Sequence, residues 1–415
     1  MTPTRHDAQA MDAADDLAHF RQRFLIADPD VCYLDGNSLG RLPLATIDAM
    51  NHVLTAQWGG ELVDGWAHWI DEAQTVGDLV GAATLGAAPG QTLVQDTTSA
   101  NLYQLCVAAL AANRRTIVTD AANFPTDRYI LGGIAERLGL RLVLLDNDRA
   151  DEMVTADMLA PYLDDVAVVS LQIVQYRSGA RQDVVGITEM VREHGAMVVW
   201  DAAHAGGSID LRFDDWGVDL AVGCTYKYGN SGPGAPAWLY VRRDLQDQLR
   251  VPIQGWFANR DQFAMGQQFI PADGIRRFTV GTPPVLALRA VRTSYAMIAE
   301  AGMAAIADKA ARGTQLMVDL FDAWLAPLGF TLLTPRDAHR RGGHITISHP
   351  DAKQIAAAMR TVTKTIPDYR EPNSIRLAIS PLPTSYTEVW DGFDRLRELV
   401  ASERFRDVRS AGRVT

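Results

Sequence analysis

An apolar run closes on Asp201-Ala-Ala-His204, and 26 residues after the aspartate Lys227 stands in the glycine-rich stretch CTYKYGNSGPG. Pyridoxal phosphate chemistry requires that pair of groups. A lysine amine condenses with the cofactor's aldehyde, and a carboxylate keeps the pyridine nitrogen protonated so that the ring takes up electrons. Alone, an aspartate closing a buried strand is often a structural cap, and a lysine beside a glycine-rich turn usually faces solvent. Order, spacing and strand context together point to the cofactor.

A phosphate group needs amides and hydroxyls at a helix start. DTTSANLYQLCVAAL sets Thr97, Thr98 and Ser99 just before an apolar helical run, a pattern that serves an anion or an ordinary N-cap. NFPTD supplies Phe124, able to stack on a planar ring, and Asp127, able to hydrogen-bond beside it. His204 follows Asp201 by one turn. Tyr226, adjacent to Lys227, reaches either a phosphate or a reacting substrate.

These side chains need a rigid frame. TIVTD (116–120), RLVLLD (141–146), VAVVSLQ (166–172) and MVVWD (197–201) are short and almost wholly apolar, which predicts strands covered on both faces. Helix candidates at 126–138, 155–163 and 187–195 alternate with them. The order implies an α/β fold, with a mostly parallel, doubly wound sheet and functional residues at the carboxyl ends of its strands. DLAVGC (219–224) and PAWLYV (236–241) extend the sheet around Lys227. Residues 11–30 have helical character, and 285–326 read as one long Ala-rich helix. Beyond it FTLLTP, HITISHP and SIRLAIS alternate with helices at 351–362 and 386–403, a small α+β domain. The expected division is an N-terminal segment (1–50) packed on the small domain and active site, a large cofactor-binding domain (51–290), and a spine helix with the small domain (291–415). The last dozen residues are polar and expected to fray.

At 415 residues the chain exceeds one compact domain, and 47% hydrophobic content supplies ample core. A net charge of −11 argues against general affinity for nucleic acid or anionic membrane. Cys32, Cys106 and Cys224 are scattered, so neither a disulfide framework nor a metal site is expected. The opening MTPTRHDAQAMDAADD lacks the apolar core of a signal peptide, and no apolar run is long enough to span a bilayer. The expected location is the cytoplasm.

Taken together, these segments resemble the aminotransferase class V branch of the fold type I pyridoxal phosphate enzymes and, within it, the kynureninases. The resemblance runs from YLDGNSLGRLP through FPTD, WDAAHAGG, DWGVDLAVGCTYKYGNSGPG and GWF to FTVGTPPVLAL, RGGHITISHP and IRLAISPLP. It implies that Lys227 holds the cofactor, Asp201 pairs with its pyridine nitrogen and Phe124 stacks on its ring. Thr98, Ser99 and Tyr226 would hold the phosphate, with Asp127 and His204 near the ring. Trp256 and Thr282 would come from a second subunit, making a homodimer with shared active sites. Ser38, Trp66 and Arg376 would contact substrate, Arg376 clamping its carboxylate. The implied reaction is hydrolysis of L-kynurenine to anthranilate and L-alanine, a step of tryptophan catabolism, with Lys227, Tyr226 and Asp201 catalytic. Gly60 and Thr282 stand where the animal enzymes carry histidine and asparagine, which implies a preference for the unhydroxylated substrate. Gln172 occupies a position that often carries a small hydroxyl residue. Another class V enzyme, an aminotransferase or a cysteine desulfurase, and a silent cofactor-binding protein remain as alternatives. None of the three cysteines sits where a desulfurase nucleophile would.

Overall fold

The computed structural model describes residues 2–147 and 152–408. Seven strands form the larger sheet. Its spatial order is Thr92–Val94, Trp238–Val241, Leu220–Gly223, Val198–Asp201, Val166–Gln172, Thr116–Asp120 and Arg141–Leu145. Pairing is parallel from Leu220–Gly223 through Arg141–Leu145, and antiparallel on both sides of Trp238–Val241. Every residue of Val166–Gln172 and Val198–Asp201 is buried, as strands covered by helices on both faces must be. The carboxyl ends of three parallel strands therefore open on one crevice. Asp201 and Gln172 end two of them, and the chain leaving the third leads into Phe124 and Asp127.

RLVLLD departs from the predicted burial. Arg141–Leu145 is one of the sheet's two edge strands, with Leu144 46% exposed, whereas the other edge, Thr92–Val94, is buried. Two predicted helices are also shorter. Pro161 limits 155–163 to Ala156–Leu159 plus a 3-10 turn, and residues 11–30 contain only the end of Arg5–Ala13 and the 3-10 turn Ala18–Arg23. Thr4 and Asp7 form a capping box at the start of Arg5–Ala13, a local signal in the sequence TRHD.

The Ala-rich spine is two helices, Val285–Ala301 and Met303–Leu320, separated by Gly302. Gly302 has φ +78° and ψ 133°, a backbone region open almost only to glycine. Past it, the antiparallel strands Asp368–Arg370, Ser374–Ala378, His344–Ser348 and Thr331–Leu332 form the second sheet. Cys32–Tyr33 pairs in parallel with Thr365–Ile366, tying an early segment to this region. Against the fraying expected over the last dozen residues, Arg404–Asp407 form a 3-10 turn whose Phe405 is buried in the small core. Residues 409–415 lie outside the described residues. Among the described residues no helix is long and apolar enough to cross a membrane.

Candidate functional site

The strand Val198–Asp201 carries Asp201 into a cavity of about 370 Å³, whose walls come from both sheets and from the 37–38 loop. Most of the residues singled out in the sequence meet there: Ser38, Thr98, Ser99, Phe124, Asp127, Asp201, His204, Tyr226, Lys227 and Arg376. Lys227 Nζ lies 2.9 Å from His204 Nε2. Burial lowers the pKa of the lysine, with Cys224 and Asp201 opposing. Burial and the adjacent lysine hold His204 well below the usual imidazole value, so its ring is neutral.

Asp201 is positioned by two donors. Its Oδ1 accepts from the amide of Ala203 at 2.8 Å, and its Oδ2 accepts from Gln172 Nε2 at 3.3 Å. The Gln172 side chain thus helps fix the carboxylate. Burial raises Asp201 while Lys227 pulls it down. Asp127 lies in the first turn of Pro125–Leu138, and burial together with the charge of Asp201 pushes it well above the usual carboxylate range. Two buried acids in one field cannot both ionise cheaply, and the upward push is the stronger on Asp127.

The helix Thr98–Ala108 begins at the cavity. Thr97 caps it, its hydroxyl accepting from the amide of Ala100 at 3.2 Å, and Thr98 and Ser99 line the space. Phe124 ends the preceding loop with its ring edge-on to Tyr176, centroids 5.2 Å apart. Gly40 docks its amide on the carbonyl of Tyr226 at 2.8 Å, and a Cβ there would come within 2.4 Å of the Lys227 carbonyl. The GNSLG segment therefore needs its second glycine to seat against the lysine turn. Tyr226 stays a protonated phenol, because Cys224, burial and Asp201 all raise its pKa.

Arg376 enters from the second sheet, 1% exposed. Its guanidinium pairs with Asp368, directly opposite on the neighbouring strand, and reaches Ser38 Oγ at 3.1 Å and the Tyr176 carbonyl. Asp368 also lies 3.0 Å from Arg370, so two guanidiniums share one buried carboxylate and leave net positive charge at the cavity wall. Neither Arg370 nor Asp368 was singled out in the sequence. The alternation in DYR, one hairpin before SIRLA, is the local sign that both point the same way.

Three expected residues lie elsewhere. Trp66 and Thr282 line an apolar groove of about 480 Å³ with Trp58 and Trp69. Trp256 is 43% exposed, its ring 4.5 Å from that of Phe257, which in turn lies 6.3 Å from Trp66. Trp66 thus belongs with Thr282 and Trp256 rather than with the Lys227 cavity of its own chain.

The cavity suits pyridoxal phosphate on its own terms. A lysine with lowered pKa, an acid opposite, a capped helix start with hydroxyls and an aromatic ring surround a space in the range of small-ligand sites. Asp127 Oδ2 is buried without a partner, as expected of a group waiting for a ligand.

Comparison with known proteins agrees. The family described as "Aminotransferase class-V" matches residues 32–364. The kynureninase of Pseudomonas fluorescens is 38% identical over 96% of this chain and 95% of its own. That of Burkholderia pseudomallei (strain 1106a) is 37% identical over 97% of each. Among solved structures, the apo cysteine desulfurase from Thermococcus onnurineus NA1 superposes with a TM-score of 0.79 at 19% identity, covering 92% of this chain and 98% of that one. The cystine C-S lyase C-DES gives 0.77 at 17%, covering 89% and 98%. At such identities the structural likeness speaks for the fold alone.

Proposed function

Since this chain belongs to the kynureninases of the class-V aminotransferase family, we propose that its substrate is L-kynurenine and that the residues of the Lys227 cavity carry out the cleavage. The reaction type is hydrolytic cleavage of a carbon–carbon bond with pyridoxal phosphate: kynurenine and water give anthranilate and L-alanine. The observation that supports this reading is the convergence of Lys227, Asp201 and the Arg376–Ser38 pair on one buried cavity.

The cofactor, once bound, withdraws electrons from the substrate α-carbon. Arg376 binds the substrate carboxylate, with Asp368 and Ser38 fixing its guanidinium and Arg370 adding charge. Asp201 would hold the proton on the cofactor's pyridine nitrogen, with Asp127 beside it in the cavity wall. Lys227 Nζ, with its lowered pKa, takes the α-proton. Water adds to the aryl ketone carbon, and the Cβ–Cγ bond breaks as that adduct becomes the carboxylic acid. The electron pair freed on Cβ takes the Tyr226 phenol proton, which the phenolate regains from the adduct's hydroxyl. Lys227 returns its proton to the α-carbon as alanine leaves. Cys224, burial and Asp201 keep Tyr226 in the phenol form from which this step starts.

The assembly proposed is a homodimer. Trp58, Leu62, Val63, Trp256, Phe263 and Met265 are exposed, a concentration of apolar surface that a monomer rarely leaves bare. A second copy covering it would bring Trp256 and Thr282 to the partner's cavity. Three buried, unpaired cysteines fit a reducing compartment, and the cytoplasm is the proposed location. Anthranilate fluorescence on adding L-kynurenine to the purified protein tests the substrate. Release of sulfide from cysteine, or amino transfer without anthranilate, overturns it.

A further inference from the structure

Two guanidiniums belong to the cavity wall, and the fold occupies them unequally. Arg376 commits most of its N–H groups to protein. Its Nε and Nη2 meet Asp368, Nη2 also donates to Ser38 Oγ at 3.1 Å, and Nη1 donates to the Tyr176 carbonyl. A guanidinium has five N–H bonds, and a carboxylate is held best by two of them in parallel. Those contacts leave Arg376 a single N–H, on Nη1, which is half of a fork.

Arg370 is the opposite case. It lines the cavity with 31% of its side chain exposed. Its Nε lies 3.0 Å from Asp368 without the alignment of a hydrogen bond, and among the described residues no other acid or acceptor meets its guanidinium.

The hairpin brings the two together. Asp368 pairs directly with Arg376, and Arg370, two residues further along the same strand, stands on the same face. The arginines are therefore diagonal neighbours, close enough for long side chains to share one anion. Asp368 is fully buried and neutralises one of the two charges. Asp35, the other acid acting on Arg376, pairs with Arg360 at 3.6 Å. One positive charge is left over, and it acts on the reacting end of the cavity: Arg370 is among the groups that lower the pKa of Lys227 and His204.

Resting on the amino-acid substrate read above, we propose that Arg370 is a substrate-binding residue whose two Nη atoms donate to the α-carboxylate, while Arg376 adds its one remaining Nη1 N–H. The substrate carboxylate then lies between two guanidiniums, as Asp368 does, and its charge relieves the repulsion between them. An amine without a carboxylate gains neither.

The test reads binding rather than turnover. L-Alanine is titrated into the purified holoenzyme and followed by the change in cofactor absorbance, in parallel with ethylamine, the same molecule without its carboxylate. Arg370→Gln should weaken L-alanine about tenfold or more and leave ethylamine within about twofold, with Arg370→Lys between Arg370→Gln and wild type. Wild-type affinity of Arg370→Gln for L-alanine overturns the proposal, and so does an equal weakening of both ligands, which a purely structural role would produce. Should Arg370→Gln fail to fold, Arg370→Lys decides: a loss confined to L-alanine upholds the contact, and no loss or an equal loss overturns it. L-Alanine carries the amino and carboxylate groups of any α-amino acid. Failure of the wild type to cleave kynurenine would therefore sink the substrate assignment, while the ratio of the two ligands still judges Arg370.

Discussion

The Lys227 cavity and the Trp66 groove solve opposite problems. The cavity is polar, enclosed and assembled from both sheets, and its charges are held by named partners such as Gln172, Asp368 and Ser38. The groove is apolar and open, its tryptophans packed edge to face on one side and bare on the other. Burying charge demands a complete set of partners within one fold, because an unpaired ion in low dielectric is too costly to leave waiting. Apolar surface tolerates waiting for a second copy. The charged partners of the cavity are thus gathered within one chain, while the apolar groove stays open in it.

The sharpest break in that contrast would be activity without the cavity's amine. Lys227→Ala should cut turnover by about 10⁴-fold or more while circular dichroism stays native, and borohydride reduction of the wild-type holoenzyme should label Lys227. A label on another lysine sinks the assignment. Next, Arg376→Lys keeps the charge beside Asp368 but loses the planar fork, so kcat/KM should fall about 10–100-fold, read in steady-state kinetics. An unchanged value would mean that Arg370 holds the carboxylate. On the groove side, Trp256→Ala should cost about tenfold, and mixing it equally with inactive Lys227→Ala should restore about a quarter of wild-type activity through hybrid dimers. No recovery would place the groove and cavity in separate functions. The smallest effect concerns the substrate ring: kynurenine should exceed 3-hydroxykynurenine in kcat/KM by at least ~5-fold, for want of a partner for the hydroxyl. Equal ratios would show that Gly60 and Thr282 do not set the choice.

Much of this contrast was readable in the sequence, because its cavity half rests on strand ends. Uniform Val and Leu runs announce covered parallel strands, and once these are in place Asp201, Asp127 and Lys227 must open on the same crevice. What the sequence hid depends on neighbours. RLVLLD reads like its sister strands, yet lies at the edge, and composition does not say which strand is last. Gly302 sits in a run of alanines that a helix could tolerate, and only its left-handed backbone reveals the break. Arg370 gains its meaning from partners across a hairpin, where no local spacing links it to Lys227. Trp66 stood near the cavity residues by resemblance, and its place beside Thr282 emerges only from packing.

Cys32–Tyr33 pairs with Thr365–Ile366, and Gly40 seats on the lysine turn. During synthesis the segment holding Ser38 leaves the ribosome long before either of its anchors exists. The Ser38–Arg376 contact therefore closes only once the chain has been made past residue 376. Contacts of such sequence separation are slow to close, and their formation is the natural last step of maturation.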